Sequence, residues 1–228
     1  SAVNYSEYGY WVKAISDGTD NYTSDIKYAK FFIAKKEVRV TARGGFVYGN
    51  TFSATGGYNS YVFTSSDFTR GDTSSVIHVS DSIRYELDTK VVQLPYGTYG
   101  ITLKTDTNGY VIGMTADNYA VKAVKGTFTV SKRPLAVTVG NAESYYSLAP
   151  DLSGVALSAD SLAFADTVDM LGINLSTTAT DRSNVDTYLI NIASHTSQNY
   201  DITFTPGLFT VKALPIMVNI KAGGGEYG

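Results

Sequence analysis

The chain has 228 residues, 43% hydrophobic and 13% aromatic, which is enough for two ordinary domains with cores of their own. Its formal net charge of −3 supplies no excess of cations for phosphate, which argues against binding to nucleic acid or to an anionic membrane. Cysteine is absent, which excludes disulfides, thiolate metal sites and cysteine nucleophiles.

A phrase built on an Asn-Tyr pair returns along the chain, beginning at Asn21, Asn118 and Asn199. The copies are therefore 97 and 81 residues apart. A phenylalanine stands at the same distance after each pair, at Phe31, Phe128 and Phe209. Recurrence at such intervals indicates a tandem array of similar units.

Each copy predicts the same succession of elements. It opens with an alternating apolar strand, "VRVTA", "LAVTV" or "IMVNI", then a Tyr-Gly turn, reduced to Tyr146-Ser147 in the middle copy, and a second strand. In two copies an Asp-Thr segment, at Asp72 and Asp166, predicts a single capped helical turn. A strand led by a tyrosine follows, at Tyr10, Tyr99 and Tyr188. The copy closes on the Asn-Tyr phrase, where "NYDITFTPGLFTVK" predicts a hairpin with a tight Pro-Gly turn.

The repeat divides the chain into two complete modules flanked by two partial ones. Residues 37–132 and 133–213 are the complete β modules, residues 1–36 the C-terminal part of a preceding repeat, and residues 214–228 the first strand of a following repeat. The fold class is mainly β: each module is an Ig-like sandwich or, if the Asp-Thr segment is a true helix across the sheet, a β-grasp fold. Short linkers predict an elongated rod. The two partial ends are complementary halves of one unit, so strand addition between molecules is a further hypothesis.

With these motifs in order, the chain resembles the MBG and YDG-type repeats of large bacterial surface proteins and fibrillar adhesins. The matching motifs are "EVRVTA" and "PLAVTV", the Tyr-Gly turn, "GDT" and "ADT", "GTYGITL" and "DTYLINI", and the two later Asn-Tyr phrases; together they cover nearly all of residues 9–228. The resemblance implies a non-enzymatic module, extracellular on the bacterial cell surface or secreted, that serves as stalk or spacer in cell adhesion. Its expected partners are neighbouring repeats of the same chain. The alternative is an adhesin module that directly binds host glycan, mucin or matrix protein.

The tripeptide Arg70-Gly71-Asp72 is the sharpest local signal, because integrins can read it in an exposed loop. A structural interpretation competes with this one. The segment Ala165-Asp166-Thr167 matches Gly-Asp-Thr in the next copy, which favours a role for the aspartate in the framework of the repeat.

Tyrosines that recur in register are predicted to pack inside the units: Tyr10, Tyr99 and Tyr188, and Tyr22, Tyr119 and Tyr200. The tyrosines without a counterpart in other copies are the better candidates for contact with a ligand. They are Tyr58, Tyr61, Tyr85 and Tyr110.

No catalytic residue, metal site or cofactor is predicted. His78 and His195 lie in different units without a partner at metal-ligand spacing, and no nucleophile, base and orienting group can be assembled.

Oxygen-rich loops at Asp17, Asp20 and Asn21, and at Asp106 and Asn108, could hold calcium, although turn formation explains them equally well. Lys-to-Asn isopeptide bonds are a further possibility in a chain without cysteine. No apolar stretch approaches the roughly 20 residues of a membrane span, so direct membrane insertion is not expected.

Overall fold

The computed structural model describes residues 4–227, which fold into two compact units, with the chain dividing between Ser131 and Lys132. The described strands of the first unit are β1 (Tyr10–Ser16), β2 (Asp25–Phe31), β3 (Lys36–Val47), β4 (Asn59–Phe63), β5 (His78–Val79), β6 (Tyr85–Leu87), β7 (Gly97–Leu103), β8 (Met114–Thr115), β9 (Tyr119–Val124) and β10 (Gly126–Ser131). Those of the second unit are β11 (Arg133–Val139), β12 (Ala142–Tyr145), β13 (Leu157–Ala159), β14 (Asn174–Thr177), β15 (Thr187–Ser194), β16 (Tyr200–Thr205) and β17 (Gly207–Lys212).

The main sheet of the first unit has the strand order β4-β3-β10-β7-β6. The long strand β3 pairs with two successive strands, first β9 and then β10, and both run parallel to it. Its side chains at Val38, Val40 and Ala42 are fully buried, because a strand with one face toward the core points every second residue inward. The alternating pattern of the first strand is therefore confirmed.

The strands of the second unit form two sheets, with the strand orders β13-β11-β16 and β12-β17-β15-β14. Residues of both sheets meet in one core, where Val139 of β11 clusters with Ile190 of β15 and with Phe209 and Val211 of β17. Each of these four side chains is at most 3% exposed. The unit is thus a pair of sheets that share a core, and the mainly β fold class is confirmed.

The Asp-Thr segments form single helical turns, as predicted, but the predicted side-chain cap forms only at Thr73 and not at Thr167. The described residues contain three 3-10 turns and no α-helix: Ser65–Asp67, Ser74–Val76 and Val168–Leu171. The Thr73 side chain caps the second of these turns by accepting a hydrogen bond from the backbone N–H of Ser75. Turns of three or four residues do not cross a sheet, so the condition set for a β-grasp fold is not met, and the Ig-like sandwich stays a prediction.

The closing phrase of each unit is not a hairpin, and the predicted reversal at Pro-Gly is wrong. Only Pro206 separates β16 from β17, and both strands run parallel to the start of the unit, β16 beside β11 and β17 beside β12. The chain therefore keeps its direction and passes from one sheet to the other. Strands β11 and β12, far earlier in the sequence, provide the hydrogen-bond partners for the backbone of β16 and β17. A local hairpin turn would leave these backbone groups without those partners.

Glycine recurs in this phrase because the junction between its two strands needs a close backbone approach. A Cβ atom on Gly126 would overlap the carbonyl oxygen of Ala42, and one on Gly207 would overlap that of Gly140. Only a residue without a side chain fits at such a position.

The Tyr-Gly element follows the second half of the first strand. The backbone N–H of Tyr48 donates to the carbonyl of Ser131, and that of Tyr146 donates to the carbonyl of Lys212. The next residue has a positive φ in both units, 103° at Gly49 and 72° at Ser147. Tyr146-Ser147 is therefore the structural counterpart of the Tyr-Gly pair, as the repeat predicts.

The three copies share one register between the tyrosine-led strand and the phenylalanine of the closing phrase. The paired positions are Tyr10 with Phe31, Tyr99 with Phe128, and Tyr188 with Phe209. The phasing of the repeat is thus correct in all three places.

Residues 213–227 lie outside any strand. The assignments of residues 1–36 and 214–228 to partial repeats stay predictions, as do the boundaries of the complete modules. Residues 1–3 and 228 lie outside the described residues.

Candidate functional site

The loop that carries Arg70, Gly71 and Asp72 is a tight turn. The backbone N–H of Asp72 donates to the carbonyl of Thr69 at 3.0 Å, and both central residues have a positive φ, 60° at Arg70 and 80° at Gly71. Arg70 and Gly71 are exposed, whereas Asp72 is half-buried. The Arg70 side chain is therefore exposed to solvent, whereas the Asp72 carboxylate of the same tripeptide is only partly exposed.

Asp72 is held by a tyrosine of the closing phrase. The hydroxyl of Tyr119 donates to Oδ2 of Asp72 at 2.7 Å and accepts a hydrogen bond from the backbone N–H of Thr69 at 3.2 Å. Tyr119 is only 4% exposed, and a buried phenol requires partners for its hydroxyl. The loop supplies both a donor and an acceptor.

The second unit repeats this arrangement. The hydroxyl of Tyr200 donates to Oδ2 of Asp166 at 2.7 Å and accepts from the backbone N–H of Ala163 at 2.8 Å. The turn closes in the same way, from Asp166 N–H to the Ala163 carbonyl at 3.0 Å, and Phe164 has a φ of 52°. Since the second copy has no Arg-Gly-Asp sequence, the geometry of Asp72 belongs to the framework of the repeat.

Integrin binding at Arg70-Gly71-Asp72 stays a prediction, with a condition attached. A cation from a partner would have to replace the hydroxyl of Tyr119 as the ligand of the Asp72 carboxylate, or share that carboxylate with it.

A groove of about 450 Å³ lies beside the loop. Its walls combine aromatic and aliphatic side chains with a few polar groups, as is typical of ligand pockets. It is lined by Tyr61, Val62, Phe63, Ser65, Phe68, Asp72, Thr73, Ser74 and Val79. Ring centroids 5.7 Å apart for Tyr61 and Phe63, and 6.0 Å apart for Phe63 and Phe68, place these side chains in edge-to-face contact.

An ion pair fixes the 3-10 turn next to this groove. Both guanidinium nitrogens Nε and Nη2 of Arg39 donate to the carboxylate of Asp67, at 2.9 and 2.8 Å, and the Arg39 backbone N–H donates to it at 2.9 Å. These hydrogen bonds lower the pKa of Asp67 to about 2. Sequence reasoning missed this pair, because nothing in the repeat links the two positions.

The tyrosines predicted as ligand contacts do not form one surface. Tyr61 lines the groove together with Asp72. Tyr58 is 49% exposed and donates to Oδ1 of Asn50 at 2.9 Å, while Tyr110 is half-buried and donates to Oε1 of Glu37 at 3.2 Å.

The surface prediction for Tyr85 is wrong. This residue is 6% exposed and pairs opposite Leu103, which is itself buried on the core face of β7. Burial raises the pKa of the Tyr85 hydroxyl. A short strand with only Tyr85 and Leu87 as apolar positions carries too little pattern to reveal its inner face.

The tyrosines that lead a strand hold the segment that enters it. Each donates its hydroxyl to an upstream backbone carbonyl: Tyr10 to Asn4 at 2.7 Å, Tyr99 to Pro95 at 2.9 Å and Tyr188 to Asn184 at 3.1 Å. Of the tyrosines in the Asn-Tyr pairs, Tyr119 and Tyr200 are buried as predicted. Tyr22 is 77% exposed, so the packing prediction is wrong for that copy.

The oxygen-rich loop at Asp106 uses its carboxylate in a turn. Oδ1 of Asp106 accepts from the backbone N–H groups of Asn108 and Tyr110, both at 2.9 Å. Over residues 4–227 there is no group of three or more His, Cys, Asp or Glu side chains placed to hold a metal ion. Calcium binding remains untested by this geometry. In the same part of the chain, no helix combines the length and apolar character needed to cross a membrane.

Comparison with known proteins gives a family match within the second unit. The family model of the MBG domain (YGX type) matches residues 135–210, from the start of the first strand to β17. Comparisons with curated proteins and with solved structures gave no significant match. The matched stretch contains the Tyr146-Ser147 turn and the bond between Tyr200 and Asp166. Over residues 135–210 the chain is therefore similar to the MBG domain of the YGX type, as the order of its motifs indicated.

Proposed function

We propose that the chain is a non-enzymatic, extracellular repeat region of a bacterial surface protein whose units act as stalk or spacer in cell adhesion. The match to the MBG domain supports a repeat of a surface protein. The observation that carries the proposal is the common frame of the two units, in which Tyr119 holds Asp72 and Tyr200 holds Asp166 at 2.7 Å. The polar contact that recurs thus stabilises each unit.

The parallel pairing of first and closing strands supports a mechanical role. In the second unit β11 begins the unit, and the closing run of β16 and β17 ends it in the same direction. Tension applied to the two ends of the unit therefore pulls along the paired strands and loads their hydrogen bonds together. In the first unit the same parallel pairing joins β3 to β9 and β10.

The connection between the units is short. Only Lys132 separates the end of β10 from the start of β11. A force on one unit therefore reaches the paired strands of the next unit without first extending a flexible linker. This property suits a series of repeats.

The proposal is tested by stretching the chain between its ends in a single-molecule experiment. Two unfolding events at high force are expected, and Tyr61→Ala and Arg70→Ala should leave both forces unchanged, because Arg70 lies in a loop and Tyr61 lies in β4, outside the parallel ladders that β3 forms with β9 and β10. A low unfolding force for either unit, typical of strands whose hydrogen bonds break one after another, would argue against a stalk.

A second candidate function is direct binding of a host glycan, favoured by the groove beside the Asp-Thr loop. Tyr61, Phe63 and Phe68 supply aromatic surface for a sugar ring, and Asp72 and Thr73 supply polar groups for its hydroxyls. Mucin would bind through the same chemistry, as a carrier of glycans.

A glycan array distinguishes the two functions. Saturable binding that is lost in Tyr61→Ala and kept in Tyr58→Ala, an exposed tyrosine outside the groove lining, would favour the adhesin. Absence of binding across glycans, mucin and matrix proteins leaves the stalk. Binding to a matrix protein that is lost in Arg70→Ala alone would point to the Arg-Gly-Asp loop.

A further inference from the structure

Strand β4 is an edge strand of the main sheet in the first unit. Over residues 4–227 it pairs with β3 alone, in the antiparallel sense. Just beyond the strand, the backbone N–H of Thr64 donates to the carbonyl of Arg39 at 2.9 Å. In an antiparallel pair, such positions alternate with positions whose backbone groups point away from the partner strand. The N–H and C=O groups of Tyr61 and Phe63 therefore point to the open edge.

The second unit has an edge strand at the same place. Strand β13 corresponds to β4, since Ala159 lies opposite Val137 as Phe63 lies opposite Val40. Among the described strands β13 pairs with β11 alone, and it stands first in its sheet. A whole unit precedes β13 in the chain, and a whole unit follows β4. The open edge is therefore a property of the repeat.

The groove beside the Asp-Thr loop reaches this edge in the first unit. Three successive residues of β4 line it: Tyr61, Val62 and Phe63. Successive side chains of a strand point to opposite faces, so a groove lined by all three residues includes the edge of the strand. Phe68 and Val79 add apolar surface from outside the strand. Unpaired backbone groups and apolar side chains thus lie together at β4.

The aromatic lining distinguishes the first unit from the second. Leu157 and Ala159 occupy the positions in β13 that Tyr61 and Phe63 occupy in β4. The hydrogen bond between a buried tyrosine and an aspartate recurs in both units, whereas these two rings do not. The frame of the repeat forms without the rings, which favours a role for them in binding.

We propose that β4 accepts an extended peptide segment of a partner protein as an added antiparallel strand. The outward backbone groups of Tyr61 and Phe63 are spaced as alternate residues of a strand, about 7 Å apart. An extended peptide backbone offers donors and acceptors at the same interval, and a glycan has no such row. This binding role is separate from the stalk function, which depends on the parallel ladders of β3.

The two faces of β4 determine which side chains the peptide carries. Peptide residues opposite Tyr61 and Phe63 lie on the core face, where the β3 partners Ala42 and Val40 are fully buried. Apolar side chains at these two positions extend that face into the groove. On the opposite face Val62 is 41% exposed, which favours a β-branched residue beside it.

An exposed cation determines the charge of the peptide. Arg43 lies opposite Ser60 on the outer face of the sheet, and no ion pair over residues 4–227 includes it. The short side chain of Ser60 leaves space for the guanidinium to reach toward an added strand, whose backbone lies about 10 Å from β3. A carboxylate on the peptide residue beside Ser60 can then accept hydrogen bonds from Arg43. From its N-terminus, the fitting segment reads apolar, β-branched, apolar, acidic.

Fluorescence polarisation with a synthetic peptide and the full chain tests this assignment. The probe is a labelled peptide with blocked ends that contains Val-Thr-Phe-Glu, and saturable binding is expected. Methylation of the Phe backbone nitrogen should weaken binding by at least about tenfold, because that N–H donates to the carbonyl of Tyr61. Methylation of the Thr nitrogen is the matched control, since that N–H points away from β4, and it should leave the affinity unchanged.

A charge exchange tests the position of the acidic residue. Arg43→Glu should weaken binding of the Glu peptide, and a peptide with Lys in place of Glu should restore it. Arg70→Glu, at an exposed arginine outside β4, is the control for overall charge and should bind the Glu peptide as the wild-type chain does. Both variants change exposed side chains, so their melting curves should match that of the wild-type chain.

Two results would overturn the proposal. One is the absence of saturable peptide binding up to millimolar concentration, and glycan binding lost in Tyr61→Ala would then assign the groove to a sugar. The other is an equal loss of affinity from the two methylations, which would show that the peptide does not pair with the edge. The unfolding forces that test the stalk do not depend on either result.

Discussion

The hydroxyl of Tyr119 donates a hydrogen bond of 2.7 Å to the carboxylate of Asp72, and this bond joins two elements that recur separately in the sequence. One is the Asn-Tyr pair that opens the closing phrase, and the other is the Asp-Thr segment. Tyr200 and Asp166 repeat the bond in the second unit at the same distance. The loops before the turns Ser74–Val76 and Val168–Leu171 are thereby attached to β9 and β16, the strands that open the closing phrases.

The first prediction concerns this bond. Tyr119→Phe should destabilise the first unit by about 1–2 kcal/mol, because the Asp72 carboxylate and the Thr69 N–H both lose a partner. Tyr200→Phe should do the same to the second unit. The free energy of unfolding is measured by urea denaturation. Tyr58→Phe, which removes an exposed hydroxyl, is the control, and a loss no larger than in this control would show that the bond does not stabilise the unit.

The second prediction concerns the passage between sheets. Gly207→Ala should destabilise the second unit by more than about 3 kcal/mol, since the new methyl group meets the Gly140 carbonyl in a rigid ladder. Gly154→Ala is the matched control in the same unit, because no atom lies within 4 Å of the position its Cβ would take. Thermal melting curves of both variants test this prediction, and the melting temperature of Gly207→Ala should be the lower one. Equal melting temperatures would mean that the first strand can move away from Gly207 at little cost.

Much of the fold follows from patterns that are local in the sequence. The alternation in β3 and β11 predicts the buried positions, and the constant spacing of Tyr and Phe reflects one register in three copies. These features depend on neighbouring residues or on an exact repeat, so the sequence displays them directly.

The parts that were missed depend on partners distant in the chain. "TPGLF" has the composition of a turn, but β11 and β12 hold Gly207 and its neighbours in an extended run. Likewise, the Asp-Thr and Asn-Tyr elements recur without a constant separation, so only the structure shows that they bond. The rule that a buried tyrosine needs a hydrogen-bond partner would have suggested a search for one.

The third prediction follows from the lowered pKa of Asp67. Its folded pKa of about 2 lies below the ordinary value of 3.8, so the carboxylate contributes stability above pH 3.8 and loses it as the pH falls toward 2. Asp67→Asn should therefore lower the melting temperature of the first unit at neutral pH and reduce its dependence on pH between about 4 and about 2. Melting curves across this range provide the measurement. Asp201→Asn, at an exposed carboxylate of the second unit, is the control, and an unchanged acid profile in Asp67→Asn would contradict the prediction.

The fourth prediction concerns the one irregular Tyr-Gly turn of the complete units. Ser147 adopts a φ of 72°, a left-handed conformation that costs a residue with a side chain roughly 1 kcal/mol, whereas Gly49 adopts a φ of 103° at the same place without that strain. Ser147→Gly should therefore stabilise the second unit by up to about 1 kcal/mol, less the greater freedom that glycine gains in the unfolded chain. The reverse substitution, Gly49→Ser, should destabilise the first unit by at least as much. Urea denaturation of the two variants compares them directly, and a loss of stability in Ser147→Gly would mean that the Ser147 side chain contributes more than its backbone conformation costs.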